Sequence, residues 1–91
     1  MKRVYKYNVE ISNYIEIMLP IGAEILQFDE QNDKLCLWAL VDIEKSSNEF
    51  REIRKFRMAG TGHNIEENNL KYINTFICHG VLWFHVFEII G

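Results

Sequence analysis

The sequence predicts an all-β fold: a small antiparallel sandwich or partly closed barrel of about six to seven short strands. Three observations carry the prediction. Side chains alternate with a period of two over most of the chain. The segment 35–41, Leu-Cys-Leu-Trp-Ala-Leu-Val, is apolar on both parities, which a strand tolerates only when both of its faces are covered. Gly, Pro, Asn and Asp punctuate the intervals at short spacing.

Along residues 4–11, Tyr5, Tyr7, Val9 and Ile11 alternate with Val4, Lys6, Asn8 and Glu10, the pattern of a half-buried strand. Ser12-Asn13 reads as a two-residue turn into a second strand that ends where Pro20 removes a ladder donor, so the first two strands are expected to form a hairpin. A third strand is read at 23–28, and the polar string 29–34 as the loop that reverses the chain. The doubly apolar segment 35–41 follows as a central strand, with Trp38 in the core. Ser46-Ser47-Asn48-Glu49 has the form of a helix capping box and suggests a short helix near 47–58, but Phe56 and Met58 alternate with Lys55, Arg57 and Ala59, and this favours a strand over 52–58. Gly60 to Asn69 is expected to be an exposed loop, and 70–78 and 81–90 a C-terminal hairpin turning at His79-Gly80.

Ninety-one residues suit one domain, 1–91, with no linker, repeat or low-complexity tract. The composition, 48% hydrophobic and 25% charged, is that of a soluble globular domain and argues against disorder. A formal net charge of −3 disfavours nucleic acid or an anionic membrane as a whole-surface partner, and no apolar run reaches the length of a membrane span. Cys36 and Cys78 both lie in apolar runs without a Cys-x-x-Cys pair, so free buried thiols and a reducing, cytoplasmic setting are expected. Two strands that are apolar on both faces, in so short a chain, leave apolar surface that a homo-oligomer would cover.

The sharpest local feature is Gly60-Thr61-Gly62-His63. Two glycines let backbone N–H groups converge on an anion, and the cations of Arg54 and Arg57 immediately precede them, so these six residues are the candidate ligand site for a phosphate-bearing small molecule such as a nucleotide. The alternative is a glycine-rich turn beside a solvated charged strand. No Lys-Ser or Lys-Thr follows, which excludes a P-loop, and two glycines outside a βαβ unit are no dinucleotide fingerprint. His63, His79 and His85 stand at no trusted metal-ligand spacing, and no Ser or Cys is paired with a base, so neither a metal, a cofactor nor a catalytic residue is assigned. His79 reads as a turn residue. Trp83, His85 and Phe87 share one strand face and are the interface candidates.

Four blocks, Tyr5-Lys6-Tyr7, Leu35-Cys36-Leu37-Trp38-Ala39-Leu40-Val41-Asp42, Gly60-Thr61-Gly62-His63 and Phe84-His85-Val86-Phe87-Glu88, are together similar to a family of very small proteins encoded by bacteriophages and bacterial mobile elements, a domain of unknown function. The resemblance implies a phage-type accessory protein made in the bacterial cytoplasm and supplies no activity or catalytic residues. By analogy with that origin, the expected function is non-catalytic binding that sequesters or inhibits a host-defence component, either an immune signalling nucleotide or a host protein. The alternatives are a small enzyme using His63 on a phosphate ester and a structural homo-oligomeric phage component.

Overall fold

The alternating stretches all become strands in a computed structural model that describes residues 1–44 and 50–91. They are β1 (Lys2–Val9), β2 (Tyr14–Pro20), β3 (Glu24–Gln31), β4 (Lys34–Asp42), β5 (Arg51–Gly60), β6 (Leu70–Cys78) and β7 (Leu82–Ile89). All pairings are antiparallel, and two sheets result: β1-β4-β3, called sheet A, and β2-β5-β7-β6, called sheet B. The architecture is a sandwich-like stack, and among the described residues there is no helix and no closed barrel. The Ser46–Glu49 capping box lies outside the described residues, whereas the span from Arg51 onward is strand β5.

The predicted N-terminal hairpin is not formed. β1 pairs with β4 and β2 with β5, so residues 10–13 carry the chain from one sheet to the other. A tight two-residue hairpin needs positive φ in its turn, and neither Ser12 nor Asn13 adopts it. The residues that do are Asn32 and Asp33 (φ 54° and 64°) and His79 and Gly80 (φ 52° and 70°), and these are the turns of the β3–β4 and β6–β7 hairpins. The polar string 29–34 is correspondingly not a loop. Asp29, Glu30 and Gln31 continue β3, an edge strand of its sheet, and only Asn32-Asp33 turns.

β4 is central in sheet A, as expected, paired with β1 and β3. Its inward residues Leu35, Leu37, Ala39 and Val41 are buried against Phe28, Phe56, Leu19, Met58 and Val86, and the Phe28 and Phe56 rings meet edge to face at 5.0 Å. The outward face differs from the expectation. Cys36 is buried there, but Trp38 is only half-buried and lies outside the core cluster, because the pleat turns it away from sheet B toward the flanks of Lys6 and Gln27.

The sheets are joined along one side by a side chain. Phe28 on β3 donates its N–H to Asn74 Oδ1 (2.8 Å), and Asn74 Nδ2 donates to the Phe28 carbonyl (2.7 Å). The carboxamide thus acts as a surrogate peptide group between edge strands β3 and β6. It reaches across because a register irregularity lies between Tyr72 and Asn74, and a matching one between Ile25 and Gln27 bends β3. On the opposite side, among the described residues, β1 and β2 have no strand on their outer edges.

Phe56→Ala is expected to cost about 3–5 kcal/mol in denaturant unfolding, as for a fully buried aromatic. Trp38→Ala should cost about 1–2 kcal/mol, since less of its surface leaves water. Equal losses would place Trp38 in the core after all.

Candidate functional site

The pleat decides first which candidate residues meet. Arg54 and Arg57 are three positions apart on β5 and therefore leave opposite faces of sheet B. Arg54 points inward at the end of the sandwich. Its Nε and Nη2 both donate to the Glu88 carboxylate, the second at 2.9 Å, and its Nη1 donates to the Ala23 carbonyl (2.8 Å). Arg57 points outward yet is only 8% exposed. Its guanidinium donates to Glu67 (3.1 Å) and to the carbonyls of Met58 (2.7 Å) and Asn64 (3.0 Å), under the ring of Tyr14 at 5.0 Å. Neither is a solvated strand cation: both guanidiniums are spent on groups of the same chain, and they do not converge with each other.

Gly60-Thr61-Gly62-His63 forms a tight turn, closed by the His63 N–H donating to the Gly60 carbonyl (3.0 Å) with Gly62 at φ 88°. The His63 ring folds back onto Gly60 so closely that a Cβ there would sit 2.9 Å from the imidazole. The Thr61 N–H donates to the Trp83 carbonyl (3.3 Å). The Thr61 N–H of the expected Gly60–Gly62 anion cradle, and the His63 N–H beside it, are therefore used within the fold. The loop instead anchors a polar chain: Thr61 Oγ1 lies 2.8 Å from His85 Nε2, His85 Nδ1 lies 2.9 Å from Thr75 Oγ1, and that hydroxyl lies 2.7 Å from the Tyr72 hydroxyl.

That chain runs over the outward face of sheet B, and the interface candidates lie on the same face. Cross-strand partners share a face, so the pairings Ile77 with Trp83, Thr75 with His85 and Tyr72 with Phe87 form a ladder of side chains. The Tyr72 and Phe87 rings meet edge to face at 5.6 Å. Tyr72 is 56% exposed and Trp83 52%. The face continues over β5 and β2, where Met18 pairs with Ile53 and both are exposed. Residue spacing reveals Trp83, His85 and Phe87; the contribution of Tyr72, Thr75 and Ile77 depends on β6 register, which the bulge shifts by one residue and sequence periodicity does not show.

Both ring nitrogens of His85 are held by hydroxyls, the cysteines are buried and free, and burial pushes the Cys78 thiol up to about 11. Among the described residues no helix is long and apolar enough to cross a membrane.

Beside the face, the Tyr14 hydroxyl donates to Glu67, and this bond first, with Arg57 adding to it, holds the Glu67 carboxyl below the usual value near 4.5. A carboxylate whose folded-state pKa is depressed contributes stability above its unfolded pKa and loses it as pH falls through the folded one. The melting midpoint should therefore drop as pH falls below about 4.5, and Glu67→Gln should flatten that drop while lowering the midpoint at pH 7. An unchanged acid slope in Glu67→Gln would show that the carboxylate does not secure the loop.

Neither a curated protein nor a solved structure matches the chain. One protein-family model does, described as a domain of unknown function (DUF7352), and it matches residues 1–90. With essentially the whole length matched, the chain belongs to the DUF7352 family.

Proposed function

We propose that the protein is a non-catalytic binding protein that works by occupying a protein surface through the outward face of sheet B. The observation that carries this reading is the exposed ladder of Trp83, Ile77 and Tyr72 around the His85 hydroxyl chain. Aromatic side chains with a polar tip and a flat apolar body are what the centres of protein interfaces are enriched in. A protein partner is favoured over a nucleotide because the Arg54 and Arg57 guanidiniums donate to Glu88, Glu67 and backbone carbonyls. Non-catalysis is supported by the engagement of His85 and by the burial of both thiols. The finer reading is a phage-type accessory protein in the bacterial cytoplasm, with a host-defence protein as its target; its support is the sequence resemblance given above. Two copies closing the same face on each other, as a two-fold homo-oligomer, is the competing use of the surface.

The test is co-expression with a panel of bacterial defence systems, read as phage plating, for the wild type and Trp83→Arg. The proposal expects plating to be restored against at least one system by the wild type and lost in Trp83→Arg, whose melting midpoint stays within a few degrees because the side chain is exposed. No relief by the wild type, or full relief by Trp83→Arg, overturns it. Light scattering settles the competing use: a wild-type dimer that becomes monomeric in Trp83→Arg, without relief by the wild type, assigns the face to self-association.

A further inference from the structure

The β3–β4 and β6–β7 hairpin turns lie side by side at the end of the seam between the sheets, and their side chains converge. Cys78 Sγ lies 3.1 Å from Glu30 Oε2, and His79 Nδ1 lies 3.3 Å from the same oxygen and 3.6 Å from Asp33 Oδ1. The ligand atoms of Glu30, Cys78 and His79 all lie within 4.8 Å of one another. The other carboxylate oxygen, Glu30 Oε1, accepts the backbone N–H of His79 at 3.1 Å, which fixes the carboxylate plane and leaves Oε2 facing the sulfur and the imidazole. His79 and Asp33 both hold positive-φ turn positions.

We propose that Glu30, Cys78 and His79, with Asp33 beside them, form a binding site for a tetrahedral, borderline-soft divalent cation of the zinc type, which clips the two hairpin turns together. The spacing matches the ion. With bonds of about 2.3 Å to sulfur and about 2.0 Å to nitrogen and oxygen, a tetrahedron has N–O edges of about 3.3 Å and S–O edges of about 3.5 Å. The observed N–O and S–O separations, 3.3 and 3.1 Å, are close to these edges, and the sulfur and imidazole nitrogen lie within 4.8 Å of each other. The donor set, one thiolate, one imidazole and carboxylates, selects zinc, cobalt or nickel over calcium and magnesium, which prefer oxygen. Without the cation, the Cys78 thiol and the His79 N–H donate to Glu30; on binding, the thiol proton passes to solvent and the thiolate takes the metal. The site escapes sequence reading because Glu30 and Cys78 are 48 positions apart and carry none of the short spacings by which zinc sites are recognised.

Cobalt(II) is the direct probe for the purified full chain. One equivalent should produce a thiolate-to-cobalt charge-transfer band in the near ultraviolet and the intense visible bands of tetrahedral cobalt, both bleached by one equivalent of zinc. Cys36→Ser should keep the bands, because that cysteine lies on the outward face of sheet A. Cys78→Ser should lose the charge-transfer band. His79→Asn, which retains a residue at ease with positive φ, should fold and bind cobalt at least tenfold more weakly. Absence of the charge-transfer band in the wild type, its survival in Cys78→Ser, its loss in Cys36→Ser, or unchanged affinity in His79→Asn overturns the site.

Discussion

Much of this structure depends on the pair of hydrogen bonds between the Asn74 carboxamide and the Phe28 peptide. β3 and β6 are both edges of their sheets, and an edge strand exposes a row of unsatisfied donors and acceptors. A continuous ladder between them would close the two sheets toward a barrel. One side chain inserted at a bulge does something more limited: it satisfies the Phe28 peptide, holds two edges together and leaves the sheets free to stack face to face. Because Phe28 is itself fully buried against Phe56, the same residue is pinned on its side chain and on its backbone. The alignment of the two hairpin turns, and with it the meeting of Glu30 with Cys78 and His79, lies along the same pair of strands.

Two ion pairs are enclosed by the fold, while most other charged side chains are exposed. Arg54 with Glu88 and Arg57 with Glu67 are ion pairs in which every side chain is at most 19% exposed, and each arginine also donates to backbone carbonyls. Removing one member of such a pair costs far more than a surface salt bridge is worth, because the partner is left desolvated and alone. These pairs tie the middle of β5 to β7 and to the loop that follows β5. Tyr14 adds a third tie to that loop through Glu67. The outward face of sheet B carries aromatic and apolar side chains around the His85 hydroxyl chain, with the exposed Glu16 and Lys55 paired on the same face.

The strands are legible in the sequence because alternation is a direct imprint of the pleat, and β4 is legible as central from its apolar residues on both parities, although its outward face is only partly covered. The His79-Gly80 turn is legible from its residue types. Strand partnership is not: the alternation of β2 is equally well satisfied beside β1 or across the stack beside β5, and nothing local in Ser12-Asn13 distinguishes them except a φ that sequence does not reveal. Periodicity misplaces Trp38 because a half-covered outward face and a core position share the same parity pattern. Arg54 and Arg57 read as exposed cations because their carboxylate partners are 34 and 10 positions away, and Glu88 sits in a strand that reads as apolar. Of the Gly60–His63 motif, the turn is legible. Its engagement with Trp83 and His85 follows only from the β5–β7 register, in which Gly60 faces Phe84 and Ala59 faces His85.

If the Asn74 carboxamide joins the two edge strands, native-state hydrogen exchange at the Phe28 amide detects it most directly. In the wild type that amide should exchange as slowly as the ladder amides of central strand β4, although among the described residues no strand pairs with its side of β3. In Asn74→Ala it should exchange many-fold faster while the amides of β4 remain protected. A Phe28 amide that exchanges freely in the wild type, or that stays protected in Asn74→Ala, would be incompatible with a carboxamide joint between the sheets.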